Sequence, residues 1–104
     1  MNRETVLMRK IMVALSKAGH FVMRTNAGVF YNANGDRVRI GFPGLSDLVG
    51  CTSEGRFFAI EVKLPGEHPR EDQKKFLEAM TATGAIAGVA HSVEEALRII
   101  ESTM

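Results

Sequence analysis

The run RFFAIEVK at residues 56–63 constrains the fold of this chain more than any other segment. It is rich in aromatic and β-branched residues, which favour a β-strand. Successive side chains of a strand point to opposite faces, so Glu61 and Lys63 share one face. The apolar side chains of the other face are Phe58, Ile60 and Val62. The sequence therefore predicts a strand with one apolar face and two neighbouring charges on the opposite face.

Three segments carry apolar residues at helical spacing. The first spans residues 3–18, and the second spans residues 70–83 directly after Pro69, a residue that favours a helix start. Ser92 begins the third, and together with Glu95 it has the spacing of a capping box.

Shorter runs between these helices have the composition and alternation of strands. Asn34-Gly35 is a strong hairpin-turn signal between two of them. The last run follows a helical crossover and should therefore lie parallel to its partner. The predicted strands are residues 21–25, 28–32, 37–40, 47–51, 56–63 and 85–90. This order predicts a small mixed β-sheet flanked by helices, an α/β fold of the α+β type.

Length and composition predict one small domain over residues 1–104. A chain of 104 residues, 45% of them hydrophobic, can bury one modest core. The single Cys51 excludes an internal disulfide and, with three scattered histidines, argues against a structural zinc site. No segment has the pattern of a signal peptide or a membrane span, so we expect a cytoplasmic protein without a membrane partner.

The net charge of +1 conceals an uneven distribution. Residues 1–63 carry nine Lys/Arg and five Asp/Glu, a balance of +4, whereas residues 64–104 carry four and seven, a balance of −3. Three of the first five acids are the candidate site residues Glu4, Asp47 and Glu61. A cation bound to them would make their surroundings more positive, which suits a polyanionic partner.

A second carboxylate is expected beside Glu61. Asp47 opens the preceding strand, and antiparallel pairing across the tight turn would bring it close to Glu61. Two carboxylates, a backbone carbonyl such as that of Val62, and waters form the oxygen shell that Mg²⁺ or Mn²⁺ prefers. Lys63 would offset charge on a phosphate and position or deprotonate an attacking water. The alternatives are a solvated charge pair between Glu61 and Lys63, and a turn role for Asp47.

Two helices each direct a polar residue toward their apolar face. Glu4 lies three, four and seven positions before apolar residues of the first helix, and Gln73 has the same relation to the second. Burying a polar group without a partner costs about 1–3 kcal/mol, so both are expected to share a polar site at the sheet. The alternatives are a helix-start carboxylate for Glu4 and a satisfied core amide for Gln73.

The segments GLSDLVG, AIEVK and REDQKKFLEA, in that order after Glu4, give the chain a family resemblance. It resembles the VRR-NUC branch of the PD-(D/E)xK nuclease superfamily, and specifically the short stand-alone members. The resemblance implies a restriction-endonuclease-like core of order αβββαβ with a C-terminal helix. It also implies Asp47 and Glu61 as ligands of Mg²⁺ or Mn²⁺, Lys63 as the catalytic lysine, Glu4 as an outer or second-metal carboxylate, and Gln73 as an orienting group.

The same resemblance implies a substrate and an assembly. Stand-alone members look like homodimeric endonucleases that cut branched DNA such as four-way (Holliday) junctions, with no small-molecule cofactor beyond the metal, and are encoded by phages or prokaryotes. Symmetric cleavage by a one-site domain requires a two-fold dimer. The alternatives are a catalytically silent DNA-binding module of the same fold, a nuclease of flaps or linear DNA, and an interaction protein in which the motif is coincidental.

The sequence offers candidates for the dimer contact and for the phosphate contacts. The hairpin from Gly28 to Ile40 is a possible dimer surface, although the sequence gives more weight to its packing on the chain's own core. The candidate phosphate contacts, with ordinary solvated charges as the alternative, are Arg24, Arg37, Arg39, Lys74 and Lys75.

Overall fold

The computed structural model describes residues 1–102, in which three helices flank a mixed sheet. The helices are α1 (Arg3–Lys17), α2 (Glu71–Ala82) and α3 (Val93–Glu101). The strands are β1 (Phe21–Arg24), β2 (Gly28–Tyr31), β3 (Arg37–Ile40), β4 (Leu48–Cys51), β5 (Phe57–Val62) and β6 (Ile86–Ala90). Every bound that the sequence predicts lies within one residue of the observed bound, so the sequence-based assignment of these elements is confirmed.

The main sheet has the strand order β1-β4-β5-β6. β6 lies parallel to β5, whereas β1, β4 and β5 pair antiparallel. The parallel pairing confirms the expectation drawn from the helical crossover through α2. β5 is thus a central strand, and its register places the end that carries Glu61 beside the start of β4.

The side chains of the N-cap residues fix the starts of α1 and α3. Asn2 Oδ1 accepts the Thr5 N–H at 2.8 Å, and Ser92 Oγ accepts the Glu95 N–H at 3.1 Å. The Glu95 carboxylate accepts the His91 N–H at 2.9 Å, one residue before the position that a capping box requires. The predicted capping box is therefore present only in its hydroxyl half. None of the helices in residues 1–102 has the length and apolar content to cross a bilayer.

The core lies between the sheet and the pair α1 and α3. The β5 side chains that were predicted to be apolar and inward, those of Phe58, Ile60 and Val62, all belong to it. Helix α2 packs on β5 and β6, and its buried Leu77 lies outside this cluster, which places α2 on the opposite face of the sheet. Because both faces are covered, the charged face of β5 is also buried, which its alternating pattern did not indicate.

The hairpin of β2 and β3, here called the arm (residues 28–40), projects from the rest of the molecule. Its strands pair only with each other, and no arm residue belongs to the core of the described residues. The expectation that it packs on the chain's own core is therefore wrong. Thr25 anchors its base through an Oγ1–H bond to the Ser46 carbonyl (2.8 Å), and Asn26 turns the chain outward with φ of 52°. Asn tolerates this conformation better than most residues.

The segment of residues 41–46 returns from the arm and packs against the start of α2. Gly44 adopts φ of +88°, and a Cβ there would overlap the backbone carbonyl oxygen of Asp72. Nearby, the rings of Phe42 and Phe76 lie 5.4 Å apart between centroids. Only glycine permits this approach, which holds the segment beside the end of β5.

Replacing Gly44 with alanine is expected to destabilise the protein by more than the left-handed backbone alone requires. The left-handed conformation costs an alanine roughly 1–2 kcal/mol, and at Gly44 the overlap with Asp72 adds to it. Gly35→Ala is the matched control, because Gly35 has φ of +82° and nothing within 4 Å of its Cβ position. Urea unfolding of both variants measures the difference, and equal losses of unfolding free energy would contradict the close packing at Gly44.

Candidate active site

Asp47 lies directly opposite Glu61 at the junction of β4 and β5. The antiparallel register pairs Leu48 with Ile60, and one further step pairs Asp47 with Glu61. Asp47 Oδ2 accepts the Val62 N–H at 2.9 Å, in the place of a backbone acceptor at the end of the ladder. On its other side, the Asp47 carbonyl accepts the Thr25 N–H at 3.0 Å. The expected approach of the two carboxylates is present, and the Asp47 backbone and side chain are both held.

The backbone of Val62 faces the same site. In a strand, the N–H and C=O of one residue point to the same neighbouring strand. Because the Val62 N–H points to Asp47, the Val62 carbonyl is directed to that side as well. Lys63 N–H, one residue on, instead donates to the Ala90 carbonyl of β6 at 3.1 Å.

Glu61 is buried in a way that disfavours its charge. Only 1% of its surface is exposed, and its Oε2 has no hydrogen-bond partner among the described residues. Burial, followed by a hydrogen bond to the Asp47 carboxyl and the negative charge of Asp47, raises the pKa of Glu61 from 4.5 to about 9. The positive charge of Lys63 opposes this shift without cancelling it. Glu61 is therefore a protonated acid near pH 7 unless a cation stabilises its carboxylate.

Lys63 contributes its charge to the same cleft without forming an ion pair. It is half-buried and lowers the pKa of both Glu61 and Glu4. No Asp or Glu oxygen of residues 1–102 lies within 4.0 Å of its ammonium nitrogen. The alternative of an exposed charge pair between Glu61 and Lys63 does not describe this geometry, because Glu61 is buried and the two groups are not in contact.

Glu4 borders the site from the start of α1. Partial burial and the negative charge of Asp47 raise its pKa, while the charge of Lys63 lowers it. Residues 1–102 contain no group of three or more His, Cys, Asp or Glu side chains placed to hold one metal ion. Glu4 is thus close enough to Asp47 for an electrostatic effect but does not form a three-carboxylate set with Asp47 and Glu61.

Gln73 reaches the site from α2 and also caps that helix. Only 6% of its surface is exposed. Its Oε1 accepts the Arg70 N–H at 2.8 Å, and its own N–H donates to Asp72 Oδ1 at 2.9 Å. The side-chain oxygen of Gln73 is therefore hydrogen-bonded, as the alternative of a satisfied core amide requires. The same side chain also borders the cleft.

These groups line a cleft of about 310 Å³ at the end of the sheet. All five predicted core site residues, Glu4, Asp47, Glu61, Lys63 and Gln73, border it. The walls come from the base of the arm, the segment of residues 41–46 and the start of α2. The sequence thus identified side chains that the fold brings together from α1, β5, α2, the residue after β5 and the residue before β4.

The predicted phosphate contacts divide into two groups. Arg24 and Arg39 border the cleft, whereas Arg37, Lys74 and Lys75 do not. Arg37 lies farther along the arm. Lys74 and Lys75 are exposed on α2, and their sequence position beside Gln73 does not carry them into the site, because successive helical residues are rotated by about 100°.

Arg70 also borders the cleft, although no sequence pattern singled it out. It immediately precedes α2, and its Nε lies 3.3 Å from Asp72 Oδ1 on the protein surface. The available signal was its position after Pro69, at a helix start that also carries Gln73.

The free energy of unfolding of the metal-free protein is expected to fall as the pH rises from about 5 to about 9. Glu61 releases its proton near 4.5 when unfolded and near 9 when folded, so the folded state binds more protons between those values. Glu61→Gln, a neutral group of similar shape, should flatten this dependence. Urea unfolding in EDTA across this pH range is the measurement, and an unchanged slope in the variant would contradict the burial of a protonated Glu61.

Comparison with known proteins supports the relationship that the motifs indicate. The family model of the VRR-NUC domain matches residues 17–94, a range that includes Asp47, Glu61, Lys63 and Gln73 and begins after Glu4. A solved structure described as a VRR_NUC domain shares the fold, with a TM-score of 0.71, 20% identity and 97% of each chain covered. No curated protein matched the chain. The expected mixed sheet flanked by helices is confirmed, and the chain belongs to the VRR-NUC domain family, a family of nuclease domains.

Proposed function

We propose that this protein is a divalent-metal-dependent endonuclease that hydrolyses phosphodiester bonds in DNA. The observation that carries the proposal is the buried Glu61, whose Oε2 lacks a hydrogen-bond partner in residues 1–102 and lies beside a second carboxylate, Asp47. Two adjacent buried carboxylates are unfavourable unless a proton or a cation offsets them. In a family of nuclease domains, a bound divalent cation would account both for the burial of these two carboxylates and for the hydrolysis of a phosphodiester bond.

The donor atoms around Glu61 fit Mg²⁺ or Mn²⁺. Glu61 Oε2, the Asp47 carboxylate and the Val62 carbonyl are all oxygen donors on this side of β5. Hard divalent cations prefer such donors, and among the described residues no sulfur or imidazole group borders this cleft. When bound, the cation supplies Lewis-acid stabilisation of phosphoryl oxygens. Glu4 would act from the outer shell, since it does not form a three-carboxylate set with the pair.

The remaining cleft residues have complementary roles in this proposal. Lys63, which has no carboxylate partner in residues 1–102, would offset negative charge developing on the phosphate and orient the attacking water. Gln73 has its oxygen engaged by the Arg70 N–H, so its amide NH₂ is the end left to donate to a phosphate oxygen or water. Arg24 and Arg39 would hold neighbouring phosphates at the cleft walls.

We propose further that the protein acts as a homodimer on branched DNA. One face of the arm is apolar, and its side chains Phe30, Val38 and Ile40 are 47%, 39% and 49% exposed. Burying them against a second copy would remove apolar surface from water. A two-fold dimer carries two clefts, which symmetric cleavage of a junction requires. The preference for branched DNA over flaps or linear duplex rests on the family resemblance.

Lys63→Ala is expected to lower the rate of DNA cleavage by about 10²–10³-fold, the usual effect of removing one group that stabilises transition-state charge. The assay uses labelled four-way, flap and linear duplex DNA with Mg²⁺, Mn²⁺ or EDTA. Lys10→Ala, an exposed lysine on α1 outside the cleft, is the matched control and should keep its activity. Cleavage that persists in EDTA, or cleavage by Lys63→Ala at the wild-type rate, would contradict the mechanism. Binding without cleavage by the wild-type protein would favour the silent DNA-binding module.

Ile40→Glu is expected to convert the homodimer into a monomer, because it buries a charge in the proposed apolar interface. The monomer should cut one strand of a junction at a time and lose paired cleavage. Ala33→Glu at the exposed arm turn is the control for the added charge. Light scattering after size-exclusion chromatography gives the mass of each variant. A monomeric wild-type protein at micromolar concentration, or a dimeric Ile40→Glu variant, would contradict the assembly.

A further inference from the structure

The arm has two faces of different chemistry. Side chains alternate across a strand, so cross-strand partners share a face. The pair Phe30 and Val38, together with Ile40, forms the apolar face that the proposed dimer would bury. On the other face, Val29 is paired with Arg39 and Tyr31 with Arg37. This second face, here called the arginine–tyrosine face, combines two cations with an aromatic ring and does not suit an apolar interface.

The arginine–tyrosine face continues the wall of the catalytic cleft. Arg39 and Gly28 at the base of the arm border the cleft. Arg37 is two residues farther along β3, about 7 Å along the strand at the usual rise per residue. Tyr31 lies opposite Arg37 in the register. A chain passing out of the cleft along the arm would therefore meet Arg39 first and then Tyr31 and Arg37.

Among the described residues, Tyr31 has no aromatic partner, and Arg37 and Arg39 have no ion-pair partner. Tyr31 is 69% exposed, and no other ring of residues 1–102 packs against it. Neither Arg37 nor Arg39 forms an ion pair with a described carboxylate. The one acid of the arm, Asp36, lies in the turn, where its Oδ2 accepts a bond from Asn32 Nδ2 at 3.3 Å.

We propose that the arginine–tyrosine face binds an unpaired nucleic-acid strand next to the cleft, with Tyr31 stacked on a base and Arg37 and Arg39 on the flanking phosphates. Exposed aromatic rings beside basic side chains are the usual means of holding single strands. In a paired duplex the base faces are stacked, so a ring reaches them only after a base is unstacked. This inference rests on the proposed nuclease function and adds a substrate class, DNA with unpaired nucleotides beside the cleavage site.

Binding without cleavage tests the inference. Fluorescence anisotropy in EDTA measures the affinity for a labelled single-stranded oligonucleotide and for a blunt duplex of the same length. Tyr31→Ala should weaken single-strand binding by about 5- to 150-fold, the range for loss of one stacked base, and leave duplex binding within about twofold. Tyr31→Phe keeps the ring and should bind like the wild-type protein.

The arginines are tested by the salt dependence of the same single-strand binding. Arg37→Gln should reduce the slope of log affinity against log salt by about 0.7, the value for one lost phosphate contact on a single strand. Arg98→Gln on α3 makes the same change of charge away from the arm and should leave the slope unchanged. A wild-type slope of log affinity against log salt in Arg37→Gln would overturn the assignment of Arg37 as a phosphate contact.

Three results would overturn the assignment of Tyr31. They are wild-type single-strand affinity in Tyr31→Ala, an equal loss for single strand and duplex, and conversion of Tyr31→Ala to a different oligomeric state. Failure of the proposed nuclease function is distinguishable, because it would appear as absence of cleavage in a wild-type protein whose single-strand affinity still depends on Tyr31. Cleavage with no dependence of binding on Tyr31 would reject this inference alone.

Discussion

The hydrogen bond from the Val62 N–H to Asp47 Oδ2 is the contact on which the site depends. β4 begins only at Leu48, so beyond that residue the edge of β5 needs another acceptor. Leaving a buried N–H without one would cost about 1–3 kcal/mol. The Asp47 carboxylate provides the acceptor and is thereby fixed opposite Glu61. One bond thus completes the sheet and brings two negative groups together.

That arrangement is unfavourable for folding in the absence of a cation. Glu61 lies on a central strand covered by α2, where burial and Asp47 both disfavour its ionised form. The apolar core on the other face of the sheet provides the stability that tolerates this burial. Lys63 and Glu4 lie at the margin of the pair and adjust its charge without neutralising it. Such strain at a cleft is typical of sites whose partner arrives from solution.

Local pattern was enough to predict the elements, because each has a clear period and a clear start or end. The parallel pairing of β6 and the shared face of Glu61 and Lys63 also followed from chain geometry alone. The burial of Glu61 did not, since an alternating strand is compatible with solvent on its polar face and only the tertiary position of α2 excludes it. The turn signal likewise identified the hairpin of the arm, but the sequence did not determine which body the hairpin would pack against.

Proximity in sequence was a poor guide to the walls of the cleft. Lys74 and Lys75 adjoin Gln73 in the chain but point elsewhere, whereas Arg70 borders the cleft from one helical turn away. Arg24 and Arg39 reach it because Thr25 and Asp47 fix the base of the arm beside β5. The arm could serve both the dimer contact and the DNA contact of the proposed function. Its apolar face suits a second protomer, and its other face extends the wall of the cleft.

The most direct test of the metal site is calorimetric titration of the metal-free protein with Mn²⁺ near pH 7, in buffers with different heats of ionisation. Because Glu61 is protonated before binding, saturable binding should release about one proton per ion, and Asp47→Asn should weaken the binding strongly. Absence of saturable binding, or binding to Asp47→Asn with wild-type affinity and no proton release in either protein, would contradict a metal site formed by Asp47 and Glu61.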